Sequence, residues 1–312
     1  MEERILGLHH ITAIAGDTQK NYDFYTKVLG LRLVKKTVNF DDPGTYHLYY
    51  GDDKGSPGTI LTFFPWTNVR PGVEGTGMAT AIGYSIPVGS LNFWTKRFQE
   101  NNVIFGKPGN RFGEVYLPFK DPDGLSLELI MPDGPDARKG WHTNDIPDNA
   151  AIQGFHSVTL TLNDVKPTGA ILTDIFGYKL YKQEGRFYQY KTDAVKEAAL
   201  VNIIEIPDGK RGQVAGGTNH HVAFRVPDEN TLMHFRDKVV KKGFNITPKI
   251  DRNYFYSLYF REPGGVLFEI ATDNPGFAID ESPEELGLNL KLPEQYEDQR
   301  SAIEQVLPPL VQ

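Results

Sequence analysis

The amino-acid sequence predicts an α+β protein in which four βαβββ modules pair into two curved, barrel-like sheets. Three features of the chain support this prediction. One strand pattern recurs four times, an amphipathic helix follows each copy, and each module closes with a turn and an apolar strand. A single module would leave its sheet open on one side, so two modules must pack together to bury it.

The four opening strands alternate apolar and polar residues and are rich in β-branched side chains, which is typical of strands. They are Gly7–Asp17, Gly77–Pro87, Gly154–Asp164 and Asn219–Asp228. Each following helix carries one apolar stripe, and these helices are Thr18–Leu29, Ser90–Asn101, Thr168–Ile175 and Glu229–Lys242. We expect Ser90 to cap its helix at the N-terminus, and Gly30, Gly177 and Gly243 to end theirs.

Each module closes with a turn and an apolar strand, in the segments Gly55–Phe64, Asp121–Ile130, Ala199–Pro207 and Glu262–Ala271. The Asp-Pro-Asp-Gly and Pro-Gly-Gly sequences of the second and fourth modules favour hairpin turns. The third module matches the pattern least well. Glu128 and Glu269 occupy the same place in the second and fourth closing strands.

The modules divide the chain into two halves. Residues 5–131 form an N-terminal half with modules 1 and 2, and residues 152–272 form a C-terminal half with modules 3 and 4. A loop-like linker, 132–151, separates them. A tail, 273–312, follows the last module and contains a predicted short helix at Glu294–Val306.

Composition narrows the function classes. The 312 residues include no cysteine, so disulfides, iron–sulfur clusters and cysteine nucleophiles are excluded, and any metal must be held by nitrogen and oxygen. The net charge of -7 gives no basic excess for a phosphate backbone, so nucleic acid is not an expected partner. No secretory signal pattern and no apolar run near the ~20 residues of a membrane span is present. We therefore expect a cytoplasmic protein without a membrane partner; a homo-oligomer stays open.

Histidine placement indicates a metal site. Four of the 8 histidines lie in two adjacent pairs, His9-His10 and His220-His221, against roughly 0.2 pairs expected by chance. Alignment of the repeats on Asp17, Val88, Asp164 and Asp228 gives, seven positions earlier, His10, Ala81, Ser157 and His221. The matching positions in the closing strands are Thr62, Glu128 and Glu269, with the third module unassigned.

The way the modules pair decides how many ligands meet. If modules 1 and 2 paired, and 3 and 4, each barrel would hold one histidine and one glutamate, too few for a metal. Pairing module 1 with module 4 brings His10, His221 and Glu269 together, with Thr62 at the fourth place and a vacant counterpart between modules 2 and 3. Three ligands on one face leave coordination positions free, as in non-heme Fe(II) oxygenases, although the residue types do not exclude Mn(II).

On these residues the chain resembles the vicinal-oxygen-chelate superfamily, which includes glyoxalases and extradiol dioxygenases. The resemblance covers about residues 5–272. The four-module length, both histidine pairs and the stretch DRNYFYSLYFREPGGVLFEIATD resemble hydroquinone-type ring-cleaving dioxygenases more narrowly. The resemblance implies an Fe(II) ion, with Mn(II) as the alternative, and a small aromatic substrate and dioxygen as partners.

Four further residues become candidates for catalysis through this resemblance: His9, His220, Arg252 and Tyr259. Strand alternation directs His9 and His220 away from the ligand face unless a bulge turns them inward. His156 shares their column in the repeat, which suggests a structural role for it. Arg252 would favour a phenolate, and Tyr259, His220 or His9 would handle protons. The histidines interpreted as ordinary core or surface residues are His47, His142 and His234.

The favoured hypothesis is therefore an Fe(II)-dependent dioxygenase that cleaves the ring of a hydroquinone or a catechol. Two other classes stay open. One is a different metalloenzyme of the superfamily, a glyoxalase-like isomerase or a thiol transferase, although an isomerase of this kind uses four protein ligands and Thr62 is a poor fourth one. The other is a non-catalytic protein that binds an aromatic compound or a drug.

Overall fold

The structure is a computed structural model that describes residues 3–312. The strands of the first two modules are β1 Leu8–Ala15, β2 Arg32–Asn39, β3 Asp42–Gly51, β4 Ile60–Pro65, β5 Met78–Ser85, β6 Ile104–Phe105, β7 Gly109–Arg111, β8 Glu114–Lys120 and β9 Ser126–Met131. Those of the last two are β10 Gly154–Leu162, β11 Lys179–Glu184, β12 Phe187–Lys191, β13 Leu200–Glu205, β14 Thr218–Val226, β15 Ile250–Asp251, β16 Phe255–Arg261 and β17 Leu267–Pro275. The α-helices are α1 Thr18–Asp23, α2 Leu91–Glu100, α3 Val165–Ala170, α4 Glu229–Lys241, α5 Glu294–Glu297 and α6 Arg300–Val306.

These strands form two sheets, and each sheet joins one module from each half of the chain. The first sheet has the order β15-β16-β17-β14-β1-β4-β3-β2, so it unites modules 1 and 4. The second has the order β11-β12-β13-β10-β5-β9-β8-β6, with β7 added beside β8, and unites modules 2 and 3. The predicted α+β fold and this pairing of modules are confirmed. Residues 132–153, which connect the halves, contain no helix or strand.

The helices follow the opening strands as predicted, with corrections at their ends. The first and third helices continue as π-helical turns, Phe24–Val28 and Ile171–Ile175. Ser90 does not cap α2, because its hydroxyl donates to the carbonyl of Pro87 instead. The aspartates that end three of the opening strands cap the next helix by accepting from backbone N–H groups; they are Asp17, Asp164 and Asp228. Asp164 therefore starts α3 three residues before the predicted Thr168.

The apolar core lies between the helices and the sheets. Helical segments contribute the buried side chains of Tyr25, Trp94, Leu172 and Phe235, which pack on apolar residues of the strands. In the first sheet, the opposite, concave face carries the polar side chains of β1 and β14. Among residues 3–312, no helix is long and apolar enough to cross a bilayer.

The seam between β1 and β14 carries two bulges. These strands pair antiparallel, but the residues on either side of His9 pair with consecutive residues of β14, so His9 is one residue extra. His220 is likewise the extra residue of β14. The seam of the second sheet repeats the arrangement at His156 in β10 and Thr80 in β5. Because a bulge redirects the side chains around it, the alternation expected for a regular strand fails at these four positions.

The C-terminal tail packs against the first sheet. The predicted helix Glu294–Val306 is in fact two short helices, α5 and α6, separated at Asp298 and Gln299. Helices of this length depend on tertiary contacts, and each has its own: the Tyr296 hydroxyl donates to the carbonyl of Phe40, and Ile303 is buried.

A buried cation on β2 anchors the start of this tail. The Lys35 side chain is fully buried, and its Nζ lies 2.5 Å from Asp280 Oδ1 and 2.5 Å from Glu281 Oε2. Its Nζ also lies 4.8 Å from the centre of the Tyr254 ring, whose hydroxyl donates to Asp280. The tail, β2 and the residues before β16 are thereby held together.

Replacing Lys35 should destabilise the protein severely. The Lys35→Met substitution leaves the carboxylate of Glu281 buried without a cation, which costs about 3–5 kcal/mol of unfolding free energy. Urea denaturation measures this loss. Lys54→Met, at an exposed lysine, is the control and should change stability by less than about 0.5 kcal/mol. Equal midpoints for the two variants would contradict the role given to Lys35.

Candidate active site

Three buried side chains from three adjacent strands converge on the concave face of the first sheet. His10 comes from β1, His221 from β14 and Glu269 from β17. Glu269 Oε2 lies 3.2 Å from His10 Nε2 and 2.9 Å from His221 Nε2, and the two Nε2 atoms are 3.4 Å apart. Within residues 3–312, this is the one group of histidine and acidic side chains placed to hold a metal ion. It is the set that repeat alignment predicted.

The environment of Glu269 fits a metal ligand. Ser257 donates a short hydrogen bond to Oε1 of Glu269. The other oxygen, Oε2, is buried and no donor points at it, although both imidazole nitrogens are close. Burial alone would raise the pKa of Glu269, but His10 and His221 hold it well below its usual range. A buried carboxylate oxygen without a donor, beside two imidazole nitrogens, is a nitrogen–oxygen donor set that suits a divalent cation.

The second histidine of each pair supports the first. His9 Nδ1 lies 2.9 Å from His10 Nδ1, and His220 Nδ1 lies 2.8 Å from His221 Nδ1. For the Nε2 atoms of His10 and His221 to offer lone pairs to a metal, their protons must lie on Nδ1, which then donates to the partner histidine. The bulges make this contact possible, because they turn His9 and His220 toward their neighbours.

The two supporting histidines differ in what they face. His9 is buried and its Nε2 lies 3.0 Å from the carbonyl oxygen of Thr272, so it donates to the backbone and is closed off from the cavity. His220 lines the cavity. Burial, and after it the neighbouring His221, lower the pKa of His220 to about 3. His220 is therefore a neutral imidazole at pH 7, with Nε2–H as its remaining donor.

A cavity of about 290 Å³ opens above the ligand set. Its floor contains His10, His220 and His221; one wall, from module 1, contains His47, Tyr49, Phe64 and Trp66. The other wall comes from module 4 and contains Arg252, Phe255 and Tyr259, while the rim is the β2–β3 turn at Asn39, Phe40 and Asp41. This volume is at the lower end of the range for ligand pockets and suits one small aromatic molecule.

Arg252 and Tyr259 lie where the sequence predicted, on the segment leading to Glu269. Tyr259 pairs directly with Glu269 across β16 and β17, and its ring packs edge-on against His221 with the ring centres 5.6 Å apart. Burial raises the pKa of Tyr259 and the charge of Glu269 adds to the effect, so its hydroxyl stays protonated. The Arg252 guanidinium lies 5.5 Å from the centre of the Tyr259 ring and faces the cavity.

His47 is the cavity residue that sequence reasoning missed. The sequence predicts an ordinary histidine here, yet His47 lies in the wall between Tyr49 and Phe64, with ring centres 4.1 and 4.3 Å away. Its Nε2 is 2.8 Å from Thr62 Oγ1 and its Nδ1 is 2.9 Å from the Tyr49 hydroxyl. Burial lowers the pKa of His47 well below the usual value, and His10 contributes.

An approximate two-fold relation explains this wall. Tyr49 pairs with Thr62 across β3 and β4, just as Tyr259 pairs with Glu269 across β16 and β17. His47 therefore corresponds to Ser257, and both bond to the residue at the closing-strand position. Thr62 lies at the predicted fourth place, where its hydroxyl is shared between His47 and Thr12. Projecting Ser257 through the repeat would have identified His47 from sequence.

The second sheet contains the vacant counterpart. Glu128, which corresponds to Glu269, binds Arg111 at 2.5 Å. Ser157 of β10 stands at the position that holds His10 in β1, and it accepts a hydrogen bond from Asn202, which occupies the place of Thr62. His156, the bulge residue, contacts Ser157 at 3.1 Å and Glu114 at 3.1 Å. The bulge histidine thus keeps its contact to the next residue where no ligand set exists.

Comparison with known proteins is consistent with this geometry. A family model for the Glyoxalase/Bleomycin resistance protein/Dioxygenase superfamily matches residues 7–129 and 154–270. MhqO of Bacillus subtilis, a candidate ring-cleaving dioxygenase, is 46% identical over 99% of this chain and 98% of its own. A chlorohydroquinone/hydroquinone 1,2-dioxygenase of Sphingobium indicum is 36% identical over 95% of this chain and 94% of its own.

Solved structures show the same architecture. A candidate dioxygenase from Bacillus subtilis superposes with a TM-score of 0.95 at 44% identity, covering 99% of this chain and 98% of that one. Glyoxalase I from Zea mays gives a TM-score of 0.61 at 16% identity over 86% of this chain and 92% of that one. The second comparison concerns the fold alone.

Removing the imidazole of His47 should lower stability without removing a metal ligand. His47→Phe preserves the aromatic wall but leaves the buried Tyr49 hydroxyl without its partner, which costs about 1–3 kcal/mol. Urea denaturation measures this change, and metal analysis after loading with Fe(II) should give the wild-type content. His142→Phe, at an exposed histidine, is the control. Loss of bound metal in His47→Phe would contradict the ligand set.

Proposed function

The chain belongs to the Glyoxalase/Bleomycin resistance protein/Dioxygenase superfamily, and on that premise we propose that it is an Fe(II)-dependent, extradiol-type ring-cleaving dioxygenase for hydroquinones. The observation that carries the proposal is the set of His10, His221 and Glu269 with Thr62 at the fourth place. Two histidines and one carboxylate on one face leave metal positions open for a substrate and for dioxygen. Mn(II) has the same ligand preferences and is the alternative ion.

Thr62 favours a dioxygenase over an isomerase of the same fold. Its hydroxyl already contacts His47 at 2.8 Å and Thr12 at 2.9 Å, so two of its three hydrogen-bonding sites have protein partners. A four-ligand centre would need a stronger donor at this position. The open positions of the three-ligand set are what a reaction between two bound molecules requires.

The bound metal would act as a Lewis acid that lowers the pKa of a substrate hydroxyl, and as the redox centre for dioxygen. The side chains around the cavity then supply hydrogen-bond donors for anionic oxygen. Arg252 is a cation, Tyr259 keeps its proton, and His220 presents Nε2–H. Three donors on one side of the cavity stabilise a phenolate and the negative charge that develops on oxygen. His9 has a different role, because it only orients His10.

The cavity is matched to one aromatic ring. The wall formed by Tyr49, His47 and Phe64 offers consecutive ring faces, and Trp66 continues it, with its ring centre 5.5 Å from that of Phe64. Aromatic rings pack well on such a surface in offset or tilted arrangements. The hydroquinone assignment is supported by the named activity of the Sphingobium relative, which is similar along 95% of this chain.

The ligand set can be tested with two matched variants. Glu269→Gln and His10→Ala should reduce bound iron from about one equivalent to about one-tenth of an equivalent. Loss of a ligand should lower the metal affinity by more than the 10–100-fold that is typical when a residue supporting a ligand is lost. Glu128→Gln makes the same change at the matching position of the second sheet and should retain wild-type iron. The content is measured by metal analysis after anaerobic loading. Stoichiometric iron in Glu269→Gln would refute the assignment.

The reaction can be tested by oxygen uptake. Iron-loaded protein should consume one dioxygen per methylhydroquinone and form a ring-opened product that carries both atoms of isotope-labelled dioxygen. Catechol is the comparison substrate, and Glu269→Gln is the inactive control. The Tyr259→Phe variant should have a kcat lower by about 10²–10⁴-fold if the Tyr259 hydroxyl transfers a proton. Oxidation of methylhydroquinone to a quinone without ring opening would refute the proposal.

A further inference from the structure

A single ion pair crosses the mouth of the cavity. Arg252, in the loop before β16, lies with Nη1 3.3 Å from Asp41 Oδ2, in the β2–β3 turn. The two side chains come from modules 4 and 1, so the pair connects the two walls. The Asp41 side chain is 78% exposed, whereas that of Arg252 is 21% exposed. Asp41 therefore covers Arg252 from the solvent side.

These two residues carry the charge of the cavity lining. Every other side chain that lines the cavity is aromatic, an imidazole or the amide of Asn39. Arg252 alone would make the mouth attractive to any carboxylate. With Asp41 beside it, the positive charge is balanced, and a second carboxylate would have to approach an aspartate and compete for the same guanidinium.

We propose that Asp41 is a specificity-determining residue that makes the site select hydroquinones with uncharged ring substituents and reject those with a carboxylate. This inference rests on the proposed function and names its substrate class. Rejection comes from the repulsive element rather than from cavity size, since a carboxylate and a primary amide have nearly the same shape. Because the charge of Asp41 is solvent-exposed, salt in the medium weakens its effect.

Asp41 can be altered without disturbing the turn. Its backbone N–H donates to Asn39 Oδ1, at 3.0 Å, and this bond does not involve the Asp41 side chain. The neighbouring Asp42 stabilises the turn, because its carboxylate accepts hydrogen bonds from the side chains of Trp66 and Thr45. Asp41→Asn therefore removes one charge at the mouth. Asp53→Asn removes one charge from an exposed turn that does not line the cavity and is the matched control.

The experiment compares homogentisate, a hydroquinone acid, with its primary amide. Iron-loaded wild type, Asp41→Asn and Asp53→Asn are assayed by oxygen uptake, and anaerobic calorimetry measures the Kd of each compound. We expect wild type to prefer the amide. In Asp41→Asn the amide-to-acid ratio of kcat/KM, and the corresponding ratio of affinities, should fall about tenfold, while Asp53→Asn keeps the wild-type ratio.

The outcomes separate the inference from the proposed function. If Asp41→Asn keeps the wild-type ratio, or Asp53→Asn changes it equally, Asp41 does not determine specificity and the inference is wrong. If no variant turns over either compound or methylhydroquinone, the proposed function fails, but the calorimetric ratio still tests whether Asp41 selects against the carboxylate. A raised salt concentration should lower the amide-to-acid ratio of the wild type toward that of Asp41→Asn. A ratio that does not change with salt would count against the inference.

Discussion

The antiparallel seam between β1 and β14 is the constraint on which the site depends. It joins the beginning of the chain to the fourth module and brings the Nε2 atoms of His10 and His221 to 3.4 Å, while β17, the parallel neighbour of β14, adds Glu269. Each seam strand carries one extra residue, and that residue is a histidine. The bulges therefore turn each extra histidine toward the next residue and supply each candidate ligand with a hydrogen-bonding partner.

Both sheets have the same arrangement of strands, and within residues 3–312 only the first sheet has the candidate ligand set. In the second sheet the bulge histidine His156 remains, but the positions of the ligands hold small residues and a glutamate that binds Arg111. The frame is thus stable without the ligand set, as expected if the helices and the apolar core on the other side of the sheets carry most of the folding free energy. Buried polar groups at the vacant centre pair with one another, and this satisfies them without an ion.

The two walls of the cavity are related by the approximate two-fold, but they carry different residue types at equivalent positions. Module 4 contributes the carboxylate, the tyrosine and the arginine; module 1 contributes Thr62, His47 and a row of aromatic rings. Polar donors thus face an apolar wall across a space of about 290 Å³. The tail stabilises this arrangement from behind, through Lys35 and Tyr254, without lining the cavity itself.

The sequence by itself determined the modules, their pairing and the candidate ligand set, because repeats place equivalent residues at equivalent positions and only one pairing unites His10, His221 and Glu269. Strand alternation directs His9 and His220 away from the ligand face unless a bulge intervenes, and the bulges could not be read from sequence, since they depend on the register between two strands whose histidines are 211 residues apart. The contact of His47 with Thr62 is implicit in the repeat, through the matching contact of Ser257 with Glu269. Tertiary structure alone decided that Asp41 meets Arg252. These two residues lie in segments whose spacing in sequence carries no periodic signal, so packing of the whole chain had to choose their contact.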